Sequence, residues 1–349
     1  MATERIHEMP VTNGSFRVQG IVNGVEKQSF YTEKKTKTGK NFRMINFGVE
    51  YDNHKSIYVA LNGMPRDKVY FSKKGDNGKN TTISVDWRDR TKTPEGARML
   101  NSVNCGLTKT VGKDGKEVND RKVLVDYDAC DYIASNLEDN RPVFVRGNIE
   151  FGSYSKNGEV TRTTKFVPAQ VSLCKDVDFN DETREVVHDF TQTIVFAGIE
   201  QEKENDKATG RFVVEAKIVN YNSVESAEFI IENAKLAKQF KSGLKPYWSI
   251  SVHGHINVVN SVEVVEDEDC WGEANPMKRT TAPTKREFVI TGADGTSIDK
   301  ETYTEKAIND AIRKMHAAAI AEENFSGKIE SSSNENDWGD TDSMDEEPW

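Results

Sequence analysis

An internal repeat constrains the fold of this chain more than any other feature of its sequence. The letters VNGVE at residues 22–26 correspond to FAGIE at residues 196–200, and VFVRGNI at 143–149 corresponds to ISVHGHI at 250–256. Each match is weak alone, but the two occur in the same order in both halves. Self-similarity of this kind is typical of a duplicated structural unit. The sequence therefore predicts two related domains within its 349 residues.

The same elements recur around the matched segments of each half. Alternating apolar and polar residues predict half-buried strands, and helical spacing of apolar residues predicts a short helix. In the first half, strands are expected at residues 42–51, 56–61, 142–151 and 163–174, and the helix at 127–137. In the second half, strands are expected at residues 212–221, 227–231, 248–256 and 287–291, and the helix at 233–240. With the first matched segment counted as a strand, each half reads β-β-β-α-β-β.

This order of elements predicts the fold class. A helix between the third and fourth strands of a five-stranded β domain is the arrangement of the OB fold, a Greek-key barrel. Gly147 and Gly254 recur in the fourth strand, where a small barrel must bend. We therefore predict a mainly β protein with tandem OB-fold (five-stranded Greek-key) barrels, a C-terminal helix and a disordered acidic tail. Two unrelated antiparallel β domains that share a glycine by chance are the alternative.

The two predicted domains differ in length. The first OB-fold domain is assigned to residues 1–178 and carries a basic insertion at about residues 63–126. The second domain and the helix take residues 186–322, and the tail takes 323–349. Long loops inside a compact domain are usually functional or disordered, and this one contains Tyr70, Phe71 and Trp87. A capping box at residues 302–305 is expected to open the C-terminal helix, which should run to about residue 321.

The net charge of −10 argues at first against a polyanionic partner. Its distribution reverses that conclusion, because residues 1–175 carry 29 Lys and Arg against 21 Asp and Glu. Residues 176–320 carry 17 against 26, and residues 321–349 carry 1 against 10. A basic front and an acidic tail point to different partners for the two ends of the chain.

The front half contains the two kinds of side chain that hold a single strand: cations for phosphates and flat rings on which bases stack. The letters KKTKTGK at residues 34–40 place four lysines beside two aromatic residues. Strand parity turns further cations and aromatics to the outer surface, where OB folds bind oligonucleotides. The candidate DNA-binding residues are Arg17, Phe30, Tyr31, Lys34, Lys35, Lys37, Lys40, Phe42, Arg43, Tyr58, Trp87, Arg88 and Arg146. For each residue taken singly, a solvated lysine loop or an ordinary barrel aromatic is the simpler interpretation.

No catalytic residues, metal or cofactor are predicted. The sequence contains no P-loop, no C-x-x-C pair and no local signature of a nucleophilic triad. His253 and His255 share one strand face and, with Cys270 and the acids at residues 266–269, would suit a metal-dependent nuclease. Two exposed strand histidines beside an acidic loop are the simpler interpretation.

The second barrel has a basic loop with fewer cations than that of the first barrel. It would extend the DNA site or serve oligomerisation or partner contacts.

The absence of targeting signals bears on compartment. No apolar run is long enough to span a membrane, and the N-terminus does not resemble a signal peptide. The four cysteines stand far apart, so free buried thiols in a reducing cytoplasm are expected. The expected location is cytoplasmic.

The extreme C-terminus is the sharpest motif in the chain. It combines an acidic run, a proline and an aromatic: Asp345, Glu346, Glu347, Pro348 and Trp349. An aromatic with a free carboxylate can be held in a hydrophobic pocket with a basic rim, and the acids would steer it there. The sequence therefore predicts a partner-binding tail, with a generic acidic solubility tail as the alternative.

This tail resembles the C-terminal tip of bacterial and phage single-stranded DNA-binding proteins, in which acids, proline and a terminal phenylalanine recruit replication and repair enzymes. Trp349 stands where that family usually has phenylalanine. Residues 14–64 look like single-stranded DNA-binding proteins of tailed phages that infect Gram-positive bacteria. The resemblance covers about the first 175 residues and the tip. Two barrels depart from the common one-barrel bacterial protein, so its tetrameric assembly is not carried over and a homo-oligomer stays open.

The resemblance implies a protein that binds and protects single-stranded DNA without strong sequence preference during phage DNA replication, recombination and repair. If the chain is phage-encoded, the expected location is the cytoplasm of the host cell. Partner enzymes of replication and recombination would be recruited through the tail, which would compete with DNA for the basic groove. A protein-interaction module, such as a DNA mimic that inhibits a host enzyme, is the alternative that the acidic second half allows. A metal nuclease is a third hypothesis.

Overall fold

The computed structural model describes residues 5–36, 39–75, 78–156, 159–204, 206–259, 262–263, 280–281 and 285–330. The chain divides into two compact units. The first unit is Asn13–Gln192, and the second combines Met1–Thr12 with Thr193–Trp349. The N-terminal segment, which the sequence analysis assigned to the first domain, therefore groups with the second unit.

The first unit is built from strands and one α-helix. Its strands are β1 (Gly14–Asn23), β2 (Tyr31–Lys35), β3 (Asn41–Asp52), β4 (Lys55–Gly63), β5 (Lys68–Lys74), β6 (Asn80–Asp86), β7 (Ala97–Met99), β8 (Ser102–Val111), β9 (Glu117–Val125), β10 (Pro142–Lys156) and β11 (Glu159–Leu173). The helix is α1 (Asp126–Asn136), and a 3-10 turn covers Trp87–Asp89. The start of β12 (His188–Glu204) also belongs to this unit and pairs with β1.

Five of these strands close a ring. β1 pairs antiparallel with β10 and β3, β3 with β4, and β10 with β11. The ring closes where β11 runs parallel to β4, at the pair Phe166 and Val59. β2 continues the course of β1 along β3. With α1 between the third and fourth strands of the ring, this is the strand order of an OB fold.

The interior of the first barrel consists of the residues that strand alternation predicts. Ile45, Phe47 and Val49 of β3 are buried, as are Ile57 and Val59 opposite them on β4. A period of two places every second side chain of a strand on the same face. The predicted core faces of these strands are therefore confirmed.

The predicted insertion lies between β4 and α1, and it is folded. β5 is the central strand of a three-stranded antiparallel sheet with β6 and β7. β8 and β9 form a hairpin, and β8 also runs parallel to β11. A small core of its own, which includes Val69, Phe71 and Met99, packs the three-stranded sheet against Val125 and Tyr127 at the start of α1.

The second unit repeats the ring. Its further elements are β13 (Lys207–Val219), β14 (Val224–Ile231), α2 (Ala234–Gly243), β15 (Ser249–Val259), β16 (Val262–Glu263), β17 (Thr280–Thr281), β18 (Lys285–Asp299) and α3 (Glu305–Glu330). The ring runs β12-β13-β14-β18-β15 and back to β12, with β18 parallel to β14. Asn233 caps α2, since its side chain accepts hydrogen bonds from the amides of Lys235 and Leu236. The predicted mainly β fold with two OB-fold barrels is confirmed.

The C-terminal helix departs from its predicted bounds. Instead of opening at Thr302, α3 begins at Glu305, and the hydroxyl of Thr304 accepts a hydrogen bond from the amide of Ala307 at 3.2 Å. Thr302 instead bonds Asp299. The helix continues to Glu330, so residues 323–330, assigned to the tail by sequence, are helical. The rest of the predicted tail, including Asp345, Glu346, Glu347, Pro348 and Trp349, lies outside the described residues.

The N-terminal segment is tied to the second unit by both polar and apolar contacts. The amide of Thr12 donates to the carbonyl of Val219 at 2.8 Å. Met9 is buried in a cluster that also contains Val219 and Ile308. The Tyr303 hydroxyl donates to the carbonyl of Pro10 at 3.1 Å. These contacts explain why the segment belongs to the unit that lies far from it in sequence.

The recurring glycine of the fourth strand has the same role in both barrels. The register shifts at Arg146/Gly147 on β10 and at His253/Gly254 on β15, which marks a bulge in each strand. A Cβ atom at Gly147 would lie 1.9 Å from the carbonyl oxygen of Val167, and one at Gly254 would lie 1.9 Å from that of Val289. Each strand thus passes so close to its neighbour that only glycine fits.

The buried thiols lead to a labelling prediction. Burial raises the pKa of Cys105 and of Cys130 to about 12. The thiolate is the reactive form, and at pH 8 it would make up about one part in ten thousand of such a group. We expect iodoacetamide to spare Cys105 and Cys130 in the folded protein and to alkylate both in guanidinium chloride, as read by peptide mass spectrometry. Rapid alkylation of either residue in the folded protein at pH 8 would contradict their burial.

Candidate nucleic-acid interface

Most of the candidate residues lie on the outer surface of β2, β3, β4, β10 and β11 of the first barrel, which we call the barrel face. Cross-strand pairing places Lys34 beside Phe42, and Tyr58 opposite Gly48. Tyr58 is 37% exposed, and Phe42 is half-buried. The outward orientation predicted for both aromatic residues is consistent with this register and with their partial exposure.

The lysine hairpin between β2 and β3 lies at one edge of the barrel face. Lys34, Lys35 and Lys40 are exposed and, within the described part of the chain, form no ion pair with an acidic side chain. Lys37 lies outside the described residues. The hairpin turn is held by the amide of Thr36, which donates to the carbonyl of Lys40 at 2.8 Å. Three uncompensated cations on one short hairpin favour a polyanionic ligand.

Arg43 does not belong to the barrel face, although the sequence analysis included it among the DNA-binding candidates. Its guanidinium lies 4.0 Å from the ring centre of Tyr127, on α1. It also lies 3.4 Å from the carboxylate of Glu33 and 3.8 Å from that of Asp131. Its inward parity on β3 brings it to these partners, so its charge is compensated within the protein.

Tyr31 is part of the same cluster. Its hydroxyl donates to Glu33 at 3.1 Å. Burial and this hydrogen bond raise the pKa of Tyr31 to about 12. The Tyr31 hydroxyl is therefore engaged with Glu33 of its own strand.

Phe30 lies in the core of the first unit, with 6% of its surface exposed. Its carbonyl accepts a hydrogen bond from the amide of Asn46 at 2.9 Å, which fixes the loop that carries it onto β3. A ring so deeply buried has no free face for a base. The sequence pattern around Phe30 is irregular, so strand parity gave no signal of its burial.

Trp87 and Arg88 have different surroundings. Trp87 meets Tyr127 edge-on at 6.1 Å between ring centres, and the guanidinium of Arg90 lies 4.7 Å above its ring. The Trp87 ring therefore anchors the insertion to α1. The Arg88 side chain is exposed, with Asp86 and Asp89 at 3.6 and 3.7 Å.

Two arginines, one on β1 and one on β10, are cross-strand neighbours in the first barrel. Arg17 of β1 lies directly opposite Arg146 of β10. Asp189 of β12 compensates one of these charges, since its carboxylate is 2.6 Å from the guanidinium of Arg17. Arg146 is exposed and, among the described residues, has no ion pair. The sequence analysis did not identify Asp189, because it becomes a neighbour of Arg17 only when β12 pairs with β1.

A groove of about 320 Å³ opens on the same face, between β4, β8, β10 and β11. Its polar lining includes Asn62, Asn101, Ser102, Asn148, Glu150 and Lys165. Amide and hydroxyl groups can hydrogen-bond the edges of an unstacked base. The groove residues were not among the sequence candidates, although outward strand parity at Asn62 and Lys165 was a usable signal.

The second barrel carries the histidine pair of the nuclease hypothesis. His253 and His255 are both exposed on β15. Within the described residues, no group of three or more His, Cys, Asp or Glu side chains is placed to hold a metal ion. Cys270 and the acids at residues 266–269 lie outside the described residues.

No described helix is long and apolar enough to cross a membrane.

Comparison with known proteins places this architecture in a family. The family model described as YorF matches residues 13–326, which includes both barrels. The chain belongs to the YorF family. A comparison of this YorF-family chain with curated proteins found no match.

The solved structures similar to the YorF-family chain include two of the single-stranded DNA-binding protein from Thermus aquaticus. The wild-type structure has a TM-score of 0.36 and 12% sequence identity, and covers 81% of this chain and 91% of that chain. A deletion mutant has a TM-score of 0.37 and 12% identity, and covers 81% of this chain and 93% of that chain.

Proposed function

We propose that this protein binds single-stranded DNA, without strong sequence preference, on the barrel face of its first unit. The observation that supports the proposal is that one surface carries Lys34, Lys35 and Lys40, which have no described acidic partner, together with two aromatic residues. Phe42 is the cross-strand neighbour of Lys34, and Tyr58, further along the sheet, is 37% exposed. Cations of this kind neutralise phosphates, and exposed rings stack with any base. Exposed Arg146 adds a further cation on β10.

The geometry favours single strands over duplex. A base can stack on Tyr58 or enter the groove beside Asn62 only if it is free of its pairing partner. Duplex DNA would contact the face through phosphates alone. Affinity for single strands should therefore exceed that for duplex and fall steeply with salt.

The biological setting extends the proposal beyond the binding site. A role in phage DNA replication, recombination and repair, with the tip from Asp345 to Trp349 recruiting partner enzymes, stays a prediction from the sequence. A cytoplasmic location belongs to the same prediction.

The test is fluorescence anisotropy of labelled oligo-dT, with the same length of duplex as the comparison, in a series of salt concentrations. We expect the full chain to bind the single strand at least 10-fold more tightly than the duplex, a difference of about 1.4 kcal/mol. The logarithm of the binding constant should fall linearly with the logarithm of the salt concentration. A heat-denatured sample of the protein serves as the control.

Equal binding of both ligands would reject base stacking as the basis of recognition. Binding of neither would reject the proposed function. In that case the two barrels would be protein-interaction modules, and inhibition of a host enzyme would become the leading hypothesis.

A further inference from the structure

We propose that the three-stranded sheet of the insertion is a second platform for single-stranded nucleic acid, on which one base stacks on Tyr70. This inference rests on the proposed function and extends its site beyond the barrel face. We call the outer surface of β5, β6 and β7 the insertion platform.

The two faces of this sheet have opposite character. The inner face carries Val69, Phe71 and Met99, all buried in the core that includes Tyr127. The outer face carries Lys68, Tyr70, Ser72 and Lys74 along β5. Because residues alternate along a strand, burial of Val69 and Phe71 requires Tyr70 to face outward. Tyr70 is 50% exposed, although it lies on the central strand.

The neighbours of Tyr70 suit a nucleotide. Ser84 of β6 is directly opposite it, and Arg98 of β7 is opposite Ser72. Lys68 lies two residues from Tyr70 and Lys74 four residues away, which is about 7 and 14 Å along the strand. A base on the ring of Tyr70 would thus have cations on both sides for its flanking phosphates and hydroxyl groups for its edge.

Charge selects a polyanion as the occupant. The outer face of the sheet presents Lys68, Lys74 and Arg98. The acid on its β6 strand, Asp86, is the cross-strand neighbour of Lys68, and its carboxylate lies 3.6 Å from the guanidinium of Arg88. Lys68, Lys74 and Arg98 have no ion pair among the described residues. An acidic peptide would satisfy the cations, but it would leave the ring of Tyr70 without a stacking partner, so single-stranded nucleic acid fits better.

The insertion platform is fixed to α1 of the first unit. A nucleic acid that binds both the platform and the barrel face would therefore not have to order the platform. The guanidinium of Arg90 donates two hydrogen bonds to the carboxylate of Asp128 on α1, at 2.6 and 2.9 Å. Arg66 lies 2.6 Å from Asp126 at the start of the same helix. Bidentate arginine–carboxylate pairs fix orientation as well as distance. A preformed site loses less entropy on binding.

The experiment compares Tyr70→Ala and Tyr70→Phe in the full chain, with labelled oligo-dT of increasing length. Short oligonucleotides, near the 4–16 nucleotides that one OB fold covers, should bind the wild type and both variants alike. On longer oligonucleotides Tyr70→Ala should weaken binding about 10-fold, because one base stack is lost, and Tyr70→Phe should retain it. Oligonucleotides that carry 5-iodouracil should cross-link to Tyr70 under ultraviolet light.

Three controls separate the possible outcomes. Tyr221→Ala removes a tyrosine that is 58% exposed in the second unit and should leave all affinities unchanged. Tyr58→Ala should weaken binding at every length, since it acts on the barrel face. Thermal melting should show that Tyr70→Ala folds like the wild type.

Wild-type behaviour of Tyr70→Ala at every length, with no cross-link at Tyr70, would overturn the insertion platform and leave the proposed function intact. An effect of Tyr70→Ala without any effect of Tyr58→Ala would instead locate binding on the insertion and reject the barrel face. Binding of an acidic peptide but of no oligonucleotide would overturn both.

Discussion

Replacing Lys34, Lys35 and Lys40 together by glutamate is expected to weaken binding of oligo-dT by about 100-fold at low salt. The three lysines are exposed on one hairpin, and within the described residues no acidic side chain compensates them. Each phosphate contact on a single strand contributes about 0.7 to the slope of log K against log salt. Loss of three contacts should therefore flatten that slope by about 2. Fluorescence anisotropy across a salt series measures both effects.

A matched variant separates local contacts from total charge. Lys235, Lys238 and Lys241 are exposed on α2 of the second unit. Their replacement by glutamate changes the net charge by the same amount but adds no acid to the lysine hairpin. This variant should bind within about threefold of the wild type, with an unchanged salt slope. Equal losses in the two variants would mean that the hairpin makes no specific phosphate contact.

The second large effect is expected at the glycine of the fourth strand. Replacing Gly254 by alanine should lower the free energy of unfolding by about 3 kcal/mol, at the upper end of the usual cost of overpacking. The added Cβ would lie 1.9 Å from the carbonyl oxygen of Val289 and 2.9 Å from the amide nitrogen of Thr291. Both are backbone atoms, so no side chain can rotate away to make room. Denaturation in guanidinium chloride, followed by circular dichroism, measures the loss.

Gly198 offers the control for this prediction. A Cβ atom there would meet nothing within 4 Å. Gly198→Ala should therefore be neutral or stabilise the protein by about 0.4–1 kcal/mol, because alanine restricts the unfolded chain. Gly147→Ala should behave like Gly254→Ala, since the same contact recurs in the first barrel at 1.9 Å. Similar stabilities of the Gly198 and Gly254 variants would show that the fourth strand can move away from its neighbour.

The candidate site was less predictable than the fold. Strand alternation identified Tyr58 and Phe42 as outward residues, because the parity of a strand is visible in its sequence. It could not exclude Phe30, which lies in an irregular loop and is nevertheless buried. The acids that neutralise Arg43 come from β2 and α1, so its unsuitability for phosphate binding is a property of the fold.

The insertion shows the same division. Its position between the third strand and the helix was evident from the spacing of the repeat. Its three aromatic residues looked equivalent in the sequence. Folding separated them: Phe71 is buried, Trp87 packs against Tyr127, and Tyr70 is exposed. That separation depends on which face of β5 covers α1, and no local pattern encodes it.

The sequence by itself determined the two barrels, the order of their elements, the core faces of β3 and β4, and the glycine in each fourth strand. These features are repeated and local, since strand period and the need for glycine at a bend are properties of short segments. Only the tertiary structure decided which cations stay uncompensated, which rings stay open, and that residues 5–12 pack with the second unit. Burial and charge compensation depend on partners far away in the chain, such as Asp189 for Arg17 and Val219 for Thr12.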